Sequence, residues 1–533
     1  MRKTKNLLSV ILFGTTACLS YSLFPSLCVG QGAIELEFVD KESGEPVSAR
    51  IAFTKSAKKL SRPRKLLFAG DQWLAEKKFQ INPPNGEFEF IVMRGPEFSE
   101  IKGGFTIEAR ARDTVSIEIP RSINMHMEHW YSGDHLSSLP YHELSRWQMA
   151  DAVDLAVSTV NTTELNPIQS KTMDPVGLRL GTLSRYLEWE HGAVLLHGWR
   201  SASPRSGGPK SDGPESLKLL EEAKGNNTVM AELVRPWSRD VPLLLASDTI
   251  RSVQILSSYN RPGGDDRLMI PKQTVNGILG KVLLMQGKDK TPSKVFAPID
   301  SNEEIRFKDA RGVGKLSEFL YWQMLESGLR ITPTAGSGFN GNETQVGYNR
   351  VYVYSETLPN ESSWWQGIAR GQTFITNGPL LRASVNGLPP GSVQTSYRSQ
   401  SISLDITVSL AVRDPVEYLD VVYNGDTIYS AKLEEHYKRG EFPPIEIDKS
   451  GWLVIRIVTE HAKGYRFATT APFYFVFDGK PRVSRKAVAF FQQWQKAALD
   501  SLAESPDQLK LYEPWIDRSK QFWESKMRSS NSE

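Results

Sequence analysis

With 533 residues the chain is too long for one ordinary domain, so about three are expected. An apolar share of 40%, including 13 Trp, 17 Tyr and 23 Phe, is ample for packed cores and excludes a disordered chain. The formal net charge of +3 is small, and nothing in its distribution points to nucleic acid or an anionic membrane.

Residues 1–30 read as a secretory signal peptide. Arg2, Lys3 and Lys5 form a basic start, Leu7 to Phe24 is apolar and uncharged, and Cys28-Val29-Gly30 offers small or neutral residues before Gln31. Cleavage is expected near Gly30 or Gly32, giving an exported protein, periplasmic or extracellular. Cys18 and Cys28 both lie in this segment, so the mature chain is expected to hold no disulfide, thiolate metal site or Cys nucleophile. The segment carries three basic and no acidic residues, so its removal takes the charge from +3 to 3 − 3 = 0. No later stretch is long and apolar enough to span a bilayer.

Residues 31–120 show period-two alternation, as in Ile34-Glu35-Leu36-Glu37-Phe38-Val39, punctuated by turns such as Asp40 to Gly44. A small β-sandwich is expected. The wording Gly44-Glu45-Pro46-Val47-Ser48-Ala49-Arg50 resembles transthyretin-like or carboxypeptidase-regulatory-like modules. From 121 to 376, strand-like runs (Ala193 to Leu196, Ser252 to Leu256) alternate with helical stretches (Leu217 to Lys224, Leu316 to Gly328), which predicts a largely parallel sheet or barrel. Ser201 to Pro214 reads as a loop, and residues 260–312 as an insertion. From 377 to 480 the period is two again, with a hairpin turn at Asn424-Gly425-Asp426, and a second β-sandwich is expected. The tail, 481–533, is helical: Ala487, Phe491, Trp494 and Ala498 recur at helical spacing, Ser484 can cap the first turn, and Pro506 and Pro514 are expected to break it into pieces.

Only eight His occur, and four of them, His126, His129, His135 and His142, fall close together, with Glu128 and Asp134 between them and Glu143 directly after. His191 and His197 flank the run Ala193 to Leu196, next to Glu188 and Glu190. Imidazole and carboxylate are the ligands of zinc, iron or manganese, so a hydrolytic metal site and a wet cleft of hydrogen-bonded His are both compatible with this stretch. There is no Gly-rich phosphate loop and no Gly-x-Ser-x-Gly elbow.

Trp130-Tyr131-Ser132-Gly133-Asp134 resembles the metal-site mouth of CehA/McbA-type metallohydrolases, a branch of the PHP (polymerase and histidinol phosphatase) superfamily. The resemblance continues through Met149 to Ala156, Glu190 to Leu195, Asp240 to Ser247, Gly328 to Ser337, Gly347 to Val353, Gly371 to Pro379 and Asp478 to Pro481. It implies a PHP-like distorted α/β barrel between the two sandwiches. It also implies metal ligands at positions that here read Leu136, Ser138, Tyr259 and Asn340, with Gly338 where the family has Asp. None of these replacements supplies an imidazole or carboxylate. The expectation is an exported family relative with a degenerate metal site, no metal cofactor, and a binding or structural role toward a small molecule or envelope partner. The alternative is an active hydrolase of an ester, carbamate or phosphoester that holds Zn, Mn or Fe in a rearranged site. For that case Asp134, His135, Glu190 and His191 are the candidate metal or base residues, His129, His135, His191 and His197 the candidate residual ligands, and Asn349 and Arg350 candidate anion contacts.

Overall fold

The computed structural model describes residues 33–56, 66–108, 112–159, 180–199, 213–226, 229–262, 264, 268–272, 280–283, 293–300, 305–341, 344–397, 400–439 and 441–533. The expected signal peptide, most of the 201–214 loop and much of the 260–312 insertion lie outside these residues.

At the N-terminal end, Ala33–Asp40 alternates half-buried and buried residues along its whole length, as its sequence pattern requires. It pairs with Lys78–Ile81 on one side and, in parallel, with Arg112–Ile119 on the other. A second sheet, ordered Phe68–Ala69, Gln72–Ala75, Ala49–Ser56, Gly86–Met93, Ile101–Ile107, faces it across a shared core that includes Leu36, Phe38, Trp73, Phe88 and Phe90. The guanidinium of Arg50 reaches out of this unit to Asp151, 2.6 Å away, with both side chains buried.

The PHP-like α/β barrel does not form. Strands hold 40% of the chain against 26% for helices, a balance that βα alternation would not give, and no closed barrel occurs among the described residues. Instead there is one open, mixed sheet of 15 strands. Its path starts at Thr332–Ala335 and runs through Ile250–Leu256, Met230–Leu233, Gly192–His197, Leu180–Trp189 and Leu155–Ser158 to Trp130–Ser137. It continues through Arg350–Tyr354, Thr373–Thr376, Phe467–Thr470, Gly451–Thr459 and Val416–Tyr423 to Asp426–Ala431, and the two remaining strands branch off, Phe473–Phe477 pairing with Gly451–Thr459 and Val393–Ser396 with Phe473–Phe477. The expected parallel order fails because Leu180–Trp189 turns back at Glu190-His191 and pairs antiparallel with Gly192–His197, which is antiparallel to Met230–Leu233 as well. All six residues of Gly192–His197 are buried. An apolar run of that kind reads the same in a parallel or an antiparallel central strand, so direction is not written in it.

The segment expected as a separate second sandwich extends this same sheet, through the pairing of Thr373–Thr376 with Phe467–Thr470. Two short ladders, Leu380–Val385 with Ile406–Ala411 and Ile402–Leu404 with Ile445–Ile447, contribute to a core shared with Val421, Leu453, Ile455 and Phe475. The hairpin at Asn424-Gly425 has φ of 53° and 84° at its two turn residues, the positive values that Asn and Gly tolerate. The tail forms two helices, Arg485–Ala503, capped by the Ser484 hydroxyl, and Pro506–Arg528. Pro506 opens the second helix, but Pro514 lies inside it rather than breaking it. The buried side chains of Tyr512, Ile516 and Trp523 hold that helix on the body despite the lost backbone bond. No described helix is long and apolar enough to cross a membrane.

Candidate functional site: a sealed two-histidine, one-carboxylate cluster

Three strands of the large sheet bring His135, His197 and Glu232 together. His135 Nδ1 lies 2.9 Å and His197 Nε2 3.5 Å from Glu232 Oε2, and all three side chains are fully buried. Ser252 and Gln254, on the next strand, donate to the two carboxylate oxygens at 3.2 and 2.7 Å. Ser184, directly opposite His197 in the ladder, places its hydroxyl 2.6 Å from His197 Nδ1.

The helix Glu361–Arg370 closes the cluster. It starts at an Asn360–Ser363 capping box, where side chain and backbone satisfy each other's free donors. Trp364 Nε1 donates to His135 Nε2 at 3.2 Å, and Trp365 stacks on His197 with centroids 4.2 Å apart. Gly133 of the Gly-Asp motif makes this possible, because a Cβ there would stand 2.3 Å from the Trp364 ring. With Nε2 accepting, the hydrogen-bond network assigns the His135 proton to Nδ1, facing Glu232.

Burial alone would push the Glu232 carboxyl up, but the two imidazoles more than offset it and hold it below the usual carboxylate range. Burial pushes His197 down, against the pull of Glu232. Both shifts make stability fall with pH. The unfolded chain protonates His197 below pH about 6.5, and Glu232 below about 4.3, before the folded chain does. The His197 contribution is lost from pH about 6.5 down to its depressed folded value, and the Glu232 contribution as pH falls through its own. Urea midpoints of wild type and His197→Gln, measured from pH 8 to 5, are expected to stay a constant distance apart above pH about 6.5 and to converge below it; curves that remain parallel down to pH 5 would refute the assignment.

The other sequence candidates lie elsewhere. Glu190 and His191 form the turn between two strands; the Glu190 side chain is 80% exposed and lies 3.7 Å from His191. Five residue steps along the strand, about 16 Å, separate His191's neighbour Gly192 from His197. His129 is an exposed residue with φ of 63°. His126 pairs with Asp154 at 2.8 Å, and His142 is exposed. Asp134 is buried and accepts backbone N–H bonds from Leu136, Ser337 and Gly347 at 3.2, 2.9 and 2.7 Å, clasping three segments. Asn349 donates to the carbonyls of Ser257 and Asn260, and Arg350 to those of Gly347 and Asp151, all buried. Neither presents a surface to an anion.

Of the positions of the family ligands, two are committed to packing, one bonds the backbone and one is exposed. Leu136 is buried with Ala193, Leu195 and Val234. The Ser138 hydroxyl donates to the Phe339 carbonyl, Tyr259 stands edge-on to Trp237, and Asn340 is exposed. Gly338 has φ of 65°, and a Cβ there would meet Ser258 at 2.3 Å, so no aspartate fits. Sequence reasoning missed Glu232, Ser184, Ser252, Gln254, Trp364 and Trp365. The available signal was Glu232 itself, a lone carboxylate in the apolar run Val229 to Val234, where burial demands partners.

No family model matches the sequence, and no curated protein matches it. Two solved structures, the N-terminal four Ig domains of Dscam1 isoforms 8.4 and 4.44, are similar at 9% and 8% identity. They cover 83% of this chain and 96% and 97% of their own, with TM-scores of 0.13 and 0.12, too low to carry any argument about fold or function.

Proposed function

We propose that this chain is an exported relative of the CehA/McbA-type metallohydrolases that binds an anionic small molecule and does not hydrolyse one at the family's metal position. The observation that carries this reading is the filling of positions 136, 138, 259 and 340 by residues engaged in packing, by a backbone-bonded hydroxyl and by an exposed amide. The rearranged-site hydrolase draws on the convergence of His135, His197 and Glu232, but all three are sealed from solvent, where no substrate meets them.

The binding site we assign is a cleft of about 510 Å³ at the C-terminal end of the Glu361–Arg370 helix, within the range of small-molecule pockets. Arg330 and Arg370 line it with Tyr474, Pro389, Pro390 and Pro472. Arg330 lies over the Tyr474 ring at 5.0 Å, and neither arginine has a carboxylate within ion-pair distance among the described residues. Gly391 shapes the floor: its φ is 83°, and a Cβ would strike the Arg370 carbonyl.

Titration calorimetry with phosphate, citrate and a neutral sugar tests this. An anion is expected to bind, the sugar not, and Arg330→Ala with Arg370→Ala to weaken the anion at least ~10-fold, since a charged hydrogen bond contributes about 1.5–3 kcal/mol. Absence of anion binding would refute the cleft. Metal-dependent turnover of ester, carbamate or phosphoester substrates would refute the binding reading.

A further inference from the structure

We propose that His135, His197 and Glu232 form a structural site for a divalent transition-metal ion, zinc above all, lying within the large sheet. Three observations carry it. The first is spacing. Ligands about 2.0–2.1 Å from a tetrahedral zinc stand about 3.3 Å from each other. The two separations from Glu232 Oε2, 2.9 and 3.5 Å, bracket that figure, and all three ligand atoms lie within 4.8 Å of one another.

The second is His197 Nε2, a fully buried nitrogen with no hydrogen-bond partner. Buried polar atoms are rarely left so. With the Ser184 hydroxyl on its Nδ1 at 2.6 Å, the ring can donate there and turn an Nε2 lone pair toward Glu232. That is the outer arrangement metal-bound histidines use to fix ring and tautomer. The third is the support of the carboxylate, which Ser252 and Gln254 orient from behind. Two imidazoles and one carboxylate suit zinc, iron or manganese, and a water completes the set. The site differs from positions 136, 138, 259 and 340, and because it is sealed the ion would brace strands, not activate water.

One contact opposes loading. Metal at His135 Nδ1 moves the ring proton to Nε2, where it faces the Trp364 N–H. Binding must open that contact, so Trp364→Phe is expected to raise affinity.

The test is metal content by mass spectrometry on the full mature chain, purified without chelator and after reconstitution with zinc, iron or manganese. About one equivalent is expected, with a raised unfolding temperature. His197→Gln is expected to lose the ion, and His129→Gln and His191→Gln to keep it. Should His197→Gln fail to fold, Ser184→Ala retains every ligand and is expected to weaken zinc ~10–100-fold. Less than ~0.1 equivalent after reconstitution, or undiminished metal in His197→Gln or Ser184→Ala, overturns the site. Metal without hydrolysis supports both this site and the binding function; hydrolysis that is lost with the metal in His197→Gln overturns the structural role and that function together, whereas hydrolysis that survives in metal-free His197→Gln refutes that function alone.

Discussion

Glu232→Ala is expected to destabilise the sheet by about 3–5 kcal/mol, the range for breaking a buried charged pair from one side. Glu232 is fully buried and accepts from His135, Ser252 and Gln254. Its removal leaves three buried donors without their acceptor. It also removes the acceptor that orients the His135 ring, and Trp364 and Trp365 pack against the two imidazoles. Glu232→Gln keeps the volume but not the acceptor pair. One amide oxygen cannot serve donors on both sides, so about 1–3 kcal/mol is expected, the penalty of an unsatisfied buried group. Glu190→Ala, at an exposed turn, is expected to stay within about 0.5 kcal/mol. Urea unfolding followed by tryptophan fluorescence measures all three. A chain of this size unfolds in more than one step, so the transition sensed by Trp364 and Trp365 is the one to compare. A loss below about 1 kcal/mol for Glu232→Ala would mean that the cluster is not a stabilising network.

How much of this was legible in the residues depends on range. Local order was. The alternation of Ile34 to Val39 gave the strand Ala33–Asp40 with its buried face, Asn424-Gly425 gave the hairpin, and Ser484 gave a helix cap at Ala487 N. These follow from side-chain period, tolerance of positive φ and free helix-end N–H groups, all decided within a few residues. Pairing direction was not legible. Ala193 to Leu196 is buried on both faces, and its neighbours come from residues 180–189 and 230–233, contacts that no local pattern encodes. The site was half legible for the same reason. His135 and His197 stood out because histidine is rare here, but the group that joins them, Glu232, lies 97 residues from His135. Glu190 and His191 sit at the turn of the hairpin, Glu190 exposed and His191 against Phe296, away from the far end of the same hairpin where His197 sits.

The helical tail shows the same dependence on distant partners, and it sets the second large effect. Trp523→Ala is expected to lose about 3–5 kcal/mol, the cost of emptying a buried aromatic position. Trp523 is fully buried, stacks on Phe491 with centroids 4.6 Å apart and donates its indole N–H to the Pro242 carbonyl at 3.1 Å. That carbonyl also accepts from Ser519 Oγ at 3.2 Å, so truncation does not orphan it. The loss is therefore one of packing rather than hydrogen bonding, and Ser519→Ala, which leaves the indole donor in place, is expected to lose under about 1 kcal/mol. Tyr512 anchors the same helix through Asp240 at 2.9 Å, but Asp240 keeps Trp189 Nε1 at 2.8 Å and Arg239 Nε at 2.8 Å, so Tyr512→Phe is expected to lose only about 1 kcal/mol. Limited proteolysis separates a loosened tail from global unfolding. With Trp523→Ala, cleavage within 505–528 should accelerate while the rest of the chain stays protected, because a helix freed from its docking face opens locally first. Equal acceleration at all sites would mean that the tail belongs to the same cooperative unit as the sheet. A ranking with Ser519→Ala or Tyr512→Phe above Trp523→Ala would mean that polar anchors, not the Phe491–Trp523 stack, hold it there.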